Sequence, residues 1–412
     1  MTYDRYHKRR ALRKWSNYVS HLALETIPAN VMPRRITILL AAPPGDGLRV
    51  AREHFHEYVK PILVAGAIDW EVIEGRREGE VRAGLAEKIR KMRELNGESR
   101  VQKEEGVTQE EAIRMVRQTM NVHEWDGVKG DLIIGRHTWK EYVRGVHEGW
   151  LGPMDPPSPS DIPESDEPEM VPEASTGVIS EPPNENQDDR LPEEKPAESS
   201  PKPTPKPPST PPYILPSSYS SSIPAATCPS ELPPSTAVPL PHILGFINTP
   251  KRMYRFLTRR HLAESTGASI AGLVLAAQSR PYHHGSAIET SSTFTHEDNP
   301  SPTHDTESKS NWEQTTVLQE AEPEWHKSAW RESDEGDDRE RVWKDDMVID
   351  ARVGERMRMF EMPKGAREMA EEQEVQREKE MDPLWSRIKK WAGYGPQGGK
   401  GWDMGFEGEE GD

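Results

Sequence analysis

Two hydrophobic rhythms alternate along the N-terminal third of the chain. The run ITILLAA at residues 36–42 is apolar at nearly every position, the pattern of a strand buried on both faces. Leu48, Ala51, Phe55, Val59 and Ile62 then recur at helical spacing, with Pro61 expected to end or kink that helix. Ile68, Trp70 and Val72 alternate with Asp69 and Glu71, which predicts a half-buried strand. Val81, Leu85, Ile89 and Met92 share one face of a second helix, which stops at Asn96-Gly97. Thr108 and Glu111 are spaced as a capping box before Ala112, Val116 and Met120. After a short apolar strand at residues 132–134, Thr138 and Glu141 repeat the capping-box spacing. They open a helix with Tyr142, Val143, Val146 and Trp150 inward. Strands separated by helices, with right-handed crossovers, predict an α/β fold: one doubly wound, mostly parallel sheet.

Periodicity fails after residue 152. Residues 153–241 hold most of the chain's 38 prolines among acidic and Ser/Thr filler and read as a disordered linker. Order is expected to resume over residues 242–281, as a helix plus a strand that completes the core. Thr249 is placed as an N-cap with Pro250 at the first helical position. The helix carries Met253, Phe256 and Leu257 beside Lys251, Arg252, Arg255, Arg259 and Arg260. Such a helix can lie on a membrane surface, but packing of its apolar stripe on the core is the favoured reading. The apolar run at residues 270–277 reads as the strand. Residues 282–320 are a second linker, residues 321–362 a tryptophan-bearing ordered patch, and residues 363–412 a charged helix with a Gly-rich acidic tail.

Composition narrows the function classes. With 33% hydrophobic and 30% charged residues among 412, much of the chain cannot bury enough apolar surface to offset its ordering entropy. A net charge of −17 argues against nucleic acid as a partner. The one cysteine, Cys228, excludes an intramolecular disulfide and a thiolate metal cluster. Residues 1–30 open with YDRYHKRRALRKW, a basic run compatible with a juxtamembrane helix, a matrix-targeting peptide or a solvated helix.

The loop PPGDG at residues 43–47 is the first candidate site, because a glycine-rich turn feeding a helix presents backbone N–H groups to an anion. It lacks the Lys-Ser/Thr of a P-loop, and Gly45 and Gly47 are followed by Val50 rather than a third glycine. Asp46 is placed to cap the helix, where its carboxylate would occupy the amides a phosphate needs. A capped tight turn is the favoured reading. The second loop, IIGRHTWKEYV at residues 133–143, is similar to the ATP-binding turn of the diacylglycerol and sphingosine kinase family. Ile134, Arg136 and His137 stand where that family has glycine, aspartate and glycine, so the resemblance implies a dismantled catalytic site. His137 as a general base has no nucleophile or carboxylate partner in sequence. His54 and His56 do not share a helical face, and the His283-His284 and HEDNPSPTHDTE segments lack a fixed metal spacing. No catalytic, cofactor-binding or metal-ligating residue is assigned.

Several blocks together resemble one family: YDRYHKRRALRKW, MPRRITILLAAPPGDGLRVAREHFHEYVKPIL, DWEVIEGRREGEVRAGLAEKIRK, GDLIIGRHTWKEYVRGVHEGW, PHILGFINTPKRMYRFL and ERVWKDDMVIDARVGERMRMFE. They are similar to the fungal Tim54 family, subunits of the carrier translocase of the mitochondrial inner membrane. The resemblance implies a non-enzymatic scaffold that supports import and insertion of multi-pass carrier proteins. It implies as partners the pore-forming and other translocase subunits, the small intermembrane-space chaperones and the carrier substrates. It also implies attachment to the inner membrane through an N-terminal anchor, with most of the chain facing the intermembrane space. Family members carry that anchor just before the segment matching Tyr3-Asp4-Arg5-Tyr6, where this sequence has Met1-Thr2, so the anchor is expected to be absent from this chain. No cofactor is implied. Trp325, Trp330 and Trp343 are the candidate partner contacts, packing on the domain being the alternative for each. The competing function is a lipid or nucleotide kinase on a degenerate diacylglycerol-kinase-like fold, which Arg136 and His137 argue against.

Overall fold

Alternating apolar side chains on the strands are what let helices cover both faces of the sheet. The computed structural model describes residues 2–98, 109–156, 211–284, 312–331 and 341–391. In chain order the elements are α1 (Thr2–Val19), β1 (Arg35–Ala41), α2 (Arg49–His54), α3 (Lys60–Ala65), β2 (Asp69–Gly75), α4 (Glu80–Leu95), α5 (Gln109–Thr119), β3 (Asp131–Ile134), α6 (Arg136–Leu151), β4 (Ser235–Val238), α7 (Thr249–Leu257), α8 (Arg259–Leu275), β5 (Gln278–Pro281), α9 (Glu313–Thr316), α10 (Ala351–Gly354), β6 (Arg358–Glu361) and α11 (Ala366–Trp391). The sheet runs β2-β1-β3-β4-β6-β5. Every neighbouring pair is parallel except β5 with β6, and β4 meets β6 through the single pair Ser235 and Met359.

Ile36, Ile38 and Leu40 of β1 and Leu132 and Ile134 of β3 point to one face, where α1, α3 and α8 supply Trp15, Val19, Ile62, Leu63, Ile270 and Leu273. Leu39, Ala41 and Ile133 point to the other, against Val81, Leu85 and Ile89 of α4 and Trp139, Tyr142, Val143 and Val146 of α6. The α/β, mostly parallel sheet read from the sequence is the architecture observed.

Several expectations change. Helix α2 does not stop at Pro61. It passes through a π-helical turn, Phe55–Val59, into α3, and Lys60 N donates to Phe55 O five residues back. That wider turn absorbs the missing proline N–H and the ring's clash with the preceding turn. The first linker ends well before Pro241. Residues 211–241 are ordered, with Tyr219 and Leu232 buried and β4 emerging between prolines. Proline flanking a short buried strand removes no ladder hydrogen bond inside it, so composition averaged over the segment hid the strand. The expected strand at residues 270–277 is the end of α8, with Ile270, Leu273 and Val274 facing the core, and β5 follows it. Residues near 315 are also ordered, since Trp312 and Gln314 are buried. The charged helix expected after residue 363 is α11. Thr108 lies outside the described residues, and Val116 on α5 and Met120 just after it are exposed.

The N-terminal helix α1 packs as part of the body. Its Trp15 and Val19 are sealed in the core, while Arg10 pairs with Glu371 (2.8 Å) and Glu378 (2.9 Å) of α11. Among the described residues, no helix is long and apolar enough to cross a membrane.

Candidate functional site

In an open parallel sheet, ligands sit beyond the strand C-termini where connections leave in opposite directions. Here that point lies between β1, which continues to β2 on one side, and β3 on the other. Three loops meet there: residues 42–48 after β1, Gly135 after β3, and residues 239–242 after β4. Gly45 (φ +85°) and Gly135 (φ +95°) both adopt the left-handed backbone that favours glycine. Asp46 N donates to Pro43 O (3.1 Å), which closes the first turn, and Gly47 N donates to the Asp46 carboxylate (2.7 Å). Asp46 does not cap the helix as expected. Leu48 holds the N-cap position of α2, with no side-chain capping bond. Gly135 N donates to Val238 O (2.8 Å), knitting β3 to β4 at the crevice.

The crevice is full. A Cβ built on Gly45 would lie 2.7 Å from the His326 ring, and one built on Gly135 2.7 Å from the His137 ring. His137 is buried there, with Nε2 3.1 Å from Ala41 O. Burial holds its pKa down at about 4, so the imidazole is neutral. The rings of Trp343 and Trp325 stand edge-on to it at 5.7 and 6.4 Å. What remains open is a cavity of about 10 Å³ bounded by Pro43, Pro44, His242, Trp325 and His326, room for a single water. Among the described residues, the space beside Gly45 and Gly135 is taken by the His326 and His137 rings.

Helix α6 builds the plug. Its apolar face was legible: Tyr142, Val143, Val146 and Trp150 are buried as expected. The opposite face is buried too, and all sixteen residues of α6 are inaccessible. Its polar groups grip segments that arrive much later in the chain. Arg136 donates to Thr315 O (2.8 Å) and Val317 O (2.6 Å) and pairs with Glu322 (2.7 Å). Trp139 Nε1 donates to Gln314 O (2.8 Å). Lys140 donates to Trp343 O (2.7 Å) and Asp345 O (2.9 Å). Arg144 donates to Ile214 O (2.6 Å), and His147 Nε2 accepts from Asp350 N (3.0 Å). Glu148 binds Arg82 and Arg90 and accepts from Tyr213 N (3.2 Å).

The capping box expected from Thr138 and Glu141 does not form. Thr138 Oγ1 donates to Ile134 O (2.7 Å), and α6 starts three residues earlier than that box requires, with Gly135 rather than Thr138 at the N-cap. Glu141 instead accepts from Val81 N (3.0 Å) and Arg82 N (3.3 Å) at the start of α4, and from Trp343 Nε1 (2.8 Å). Burial raises its carboxyl pKa to about 7, against the pull of those donors.

The three tryptophans separate in this setting. Trp343 is buried against Glu141, Trp325 is half-buried over the crevice, and Trp330 is 43% exposed with its ring 5.8 Å from Trp325. Of the histidines set aside earlier, His54 is buried beside Tyr58, and His284 lies against Trp312 at 3.8 Å. The HEDNPSPTHDTE segment lies outside the described residues. Among the described residues, no group of three His, Cys, Asp or Glu side chains is placed to hold a metal. Sequence reasoning missed α6 as the hub because its charged positions carry the spacing of a solvated helix face.

The class defined by these observations is a doubly wound α/β domain whose ligand crevice is occupied by its own downstream chain. The family follows from comparison with known proteins: residues 1–360 match the inner membrane protein import complex subunit Tim54, and the chain belongs to that family. It is 48% identical over 368 residues to the mitochondrial import inner membrane translocase subunit tim54 of Aspergillus fumigatus, covering 87% of this chain and 82% of that one. The Neurospora crassa subunit of the same name is 41% identical over 367 residues, covering 87% and 73%. The Candida albicans TIM54 subunit is 30% identical over 414 residues, covering 88% of each.

Proposed function

We propose that this chain is a scaffold subunit of the mitochondrial inner-membrane import translocase and performs no chemistry of its own. Family membership along residues 1–360 supports the first part, and the relatives are named as translocase subunits. The observation that carries the second is the filled crevice, where His326, Trp325 and His137 occupy the space a phosphate would need. On this reading the domain is a degenerate relative of the diacylglycerol-kinase-like fold, in which Arg136 has exchanged catalytic chemistry for holding residues 315–322 in place. The bulk of the chain faces the intermembrane space. There it meets the pore-forming subunit and the small chaperones that deliver multi-pass carrier proteins, with Trp330 and Trp325 offering the accessible aromatic surface.

Affinity purification of the tagged chain from fungal mitochondria in mild detergent tests the assignment. Recovery of the pore-forming subunit is expected, and its absence would refute the scaffold reading. The kinase alternative is tested with ATP, magnesium and acylglycerols. No phosphorylated lipid should form, and turnover abolished by Asp46→Asn or Thr138→Ala would reverse the conclusion.

A further inference from the structure

The apolar stripe of α7 does not pack on the core. No residue of α7 is buried: Met253 is 57%, Tyr254 69%, Phe256 43% and Leu257 40% exposed. The turn leading into it carries Phe246 and Ile247, 92% and 91% exposed, the two most exposed large apolar side chains among the described residues. Adjacent large apolar side chains left in water are disfavoured relative to burial, so an apolar phase is the favourable place for them.

The charge on α7 and the first residues of α8 selects the phase. Between Thr249 and Arg260 the chain has Lys251, Arg252, Arg255, Arg259 and Arg260 and no acid, in a protein whose net charge is −17. Glu324 pairs with Lys251 (2.6 Å) and Arg255 (2.7 Å), and Glu57 lies 4.0 Å from Arg259. These acids tether the helix, while Lys251 and Arg252 remain exposed. The start of α1 joins the patch: Arg260 N donates to Asp4 Oδ1 (3.2 Å), and the Arg260 guanidinium lies 5.5 Å from the Tyr3 ring. That junction places exposed Tyr3, Arg5 and Tyr6 at the start of α8, which follows α7 directly in the chain. Exposed aliphatic and phenyl groups, tyrosines and Arg/Lys on one short helix and its neighbour have the composition of an interfacial helix. The apolar groups enter the acyl boundary, and the cations meet headgroup phosphates.

We propose that α7, the Phe246–Ile247 turn and the first turn of α1 form a docking surface for an anionic lipid bilayer. The surface is independent of the plugged crevice and of the translocase assignment. Charge complementarity favours a bilayer over another copy of this chain, which would bring two basic faces together. The test is co-sedimentation of the full chain with phosphatidylcholine vesicles and with vesicles of equal phosphatidylcholine and phosphatidylglycerol. Binding is expected to the anionic vesicles alone, and to fall when salt is raised. Phe246→Ser with Ile247→Ser, and separately Arg252→Glu, should each weaken it, the first by at least about tenfold. Because all three side chains face solvent, circular dichroism and thermal unfolding should match the parent. The proposal is overturned by absence of binding to anionic vesicles, or by a Phe246→Ser/Ile247→Ser variant that binds like the parent. A photoreactive side chain at position 247 that captures a protein instead of lipid in intact mitochondria would overturn it too.

Discussion

His54, His137 and His147 are each sealed in the interior, and burial holds each imidazole to a pKa of about 4. In the unfolded chain they titrate near the ordinary value of about 6.5. Between those limits the unfolded state binds more protons, so stability from these groups is intact above pH 6.5 and declines as pH falls toward 4. Glu141 runs the other way. With its carboxyl raised to about 7, the folded state holds the extra proton, and stability declines as pH rises from the ordinary carboxyl range through neutrality. His54 differs from the other two because neither ring nitrogen has a hydrogen-bond partner among the described residues. His54→Leu is therefore expected to raise unfolding stability by about 1–2 kcal/mol at neutral pH. It should also flatten the acid limb by up to roughly 2 kcal/mol between pH 6.5 and 5, measured by urea denaturation across pH. For Glu141, replacement by Gln keeps an acceptor and is expected to cost under about 1 kcal/mol. Ala strands Trp343 Nε1 and two amides of α4 and should cost about 2–4 kcal/mol in the same assay.

Among the elements, α6 carries the greatest weight. A helix ordinarily presents one apolar stripe to a sheet and leaves its polar face wet. Here the polar face is covered by residues 213–219, 314–322 and 343–350, each held by backbone carbonyl or amide bonds to α6 side chains. Backbone-directed bonds tolerate changes in the docked side chains but depend on donor geometry. Arg136→Ala should leave the sheet folded yet free residues 312–331, seen as cleavage there at least about tenfold faster in limited proteolysis. Arg136→Lys should rescue little, because a single ammonium cannot reproduce the fork that reaches Thr315 O, Val317 O and Glu322 together.

At the scale of the whole molecule, the crevice at the switch point is a joint between early and late parts of the chain. A ligand at one hundred times its Kd would stabilise the fold by about 2.7 kcal/mol. ATP or ADP with magnesium at millimolar concentration is expected to leave the unfolding temperature unchanged in a calorimetric scan. Trp325→Ala together with His326→Ala opens the plug without touching the α6 clamps. A shift with nucleotide that appeared in that variant alone would show that the plug excludes the ligand.

Strands β1, β2 and β3 and helices α4 and α6 were legible because periodicity encodes which side chains of a single element share a face. β4 was not legible, because four residues between prolines carry too little pattern. The final turns of α8 escaped for a related reason: an apolar run of that length suits strand and helix alike, and neighbours decide. The second burial of α6, the partners of Arg136 and Glu141 and the exposure of α7 depend on segments separated by up to about two hundred positions. Their proximity is created by tertiary contacts, the side-chain to backbone bonds that dock these segments on α6. Sequence by itself determined the α/β class and the family. Only tertiary structure decided that the crevice is filled and that α7 faces outward, because burial of a polar or apolar side chain is a property of what the rest of the chain places over it.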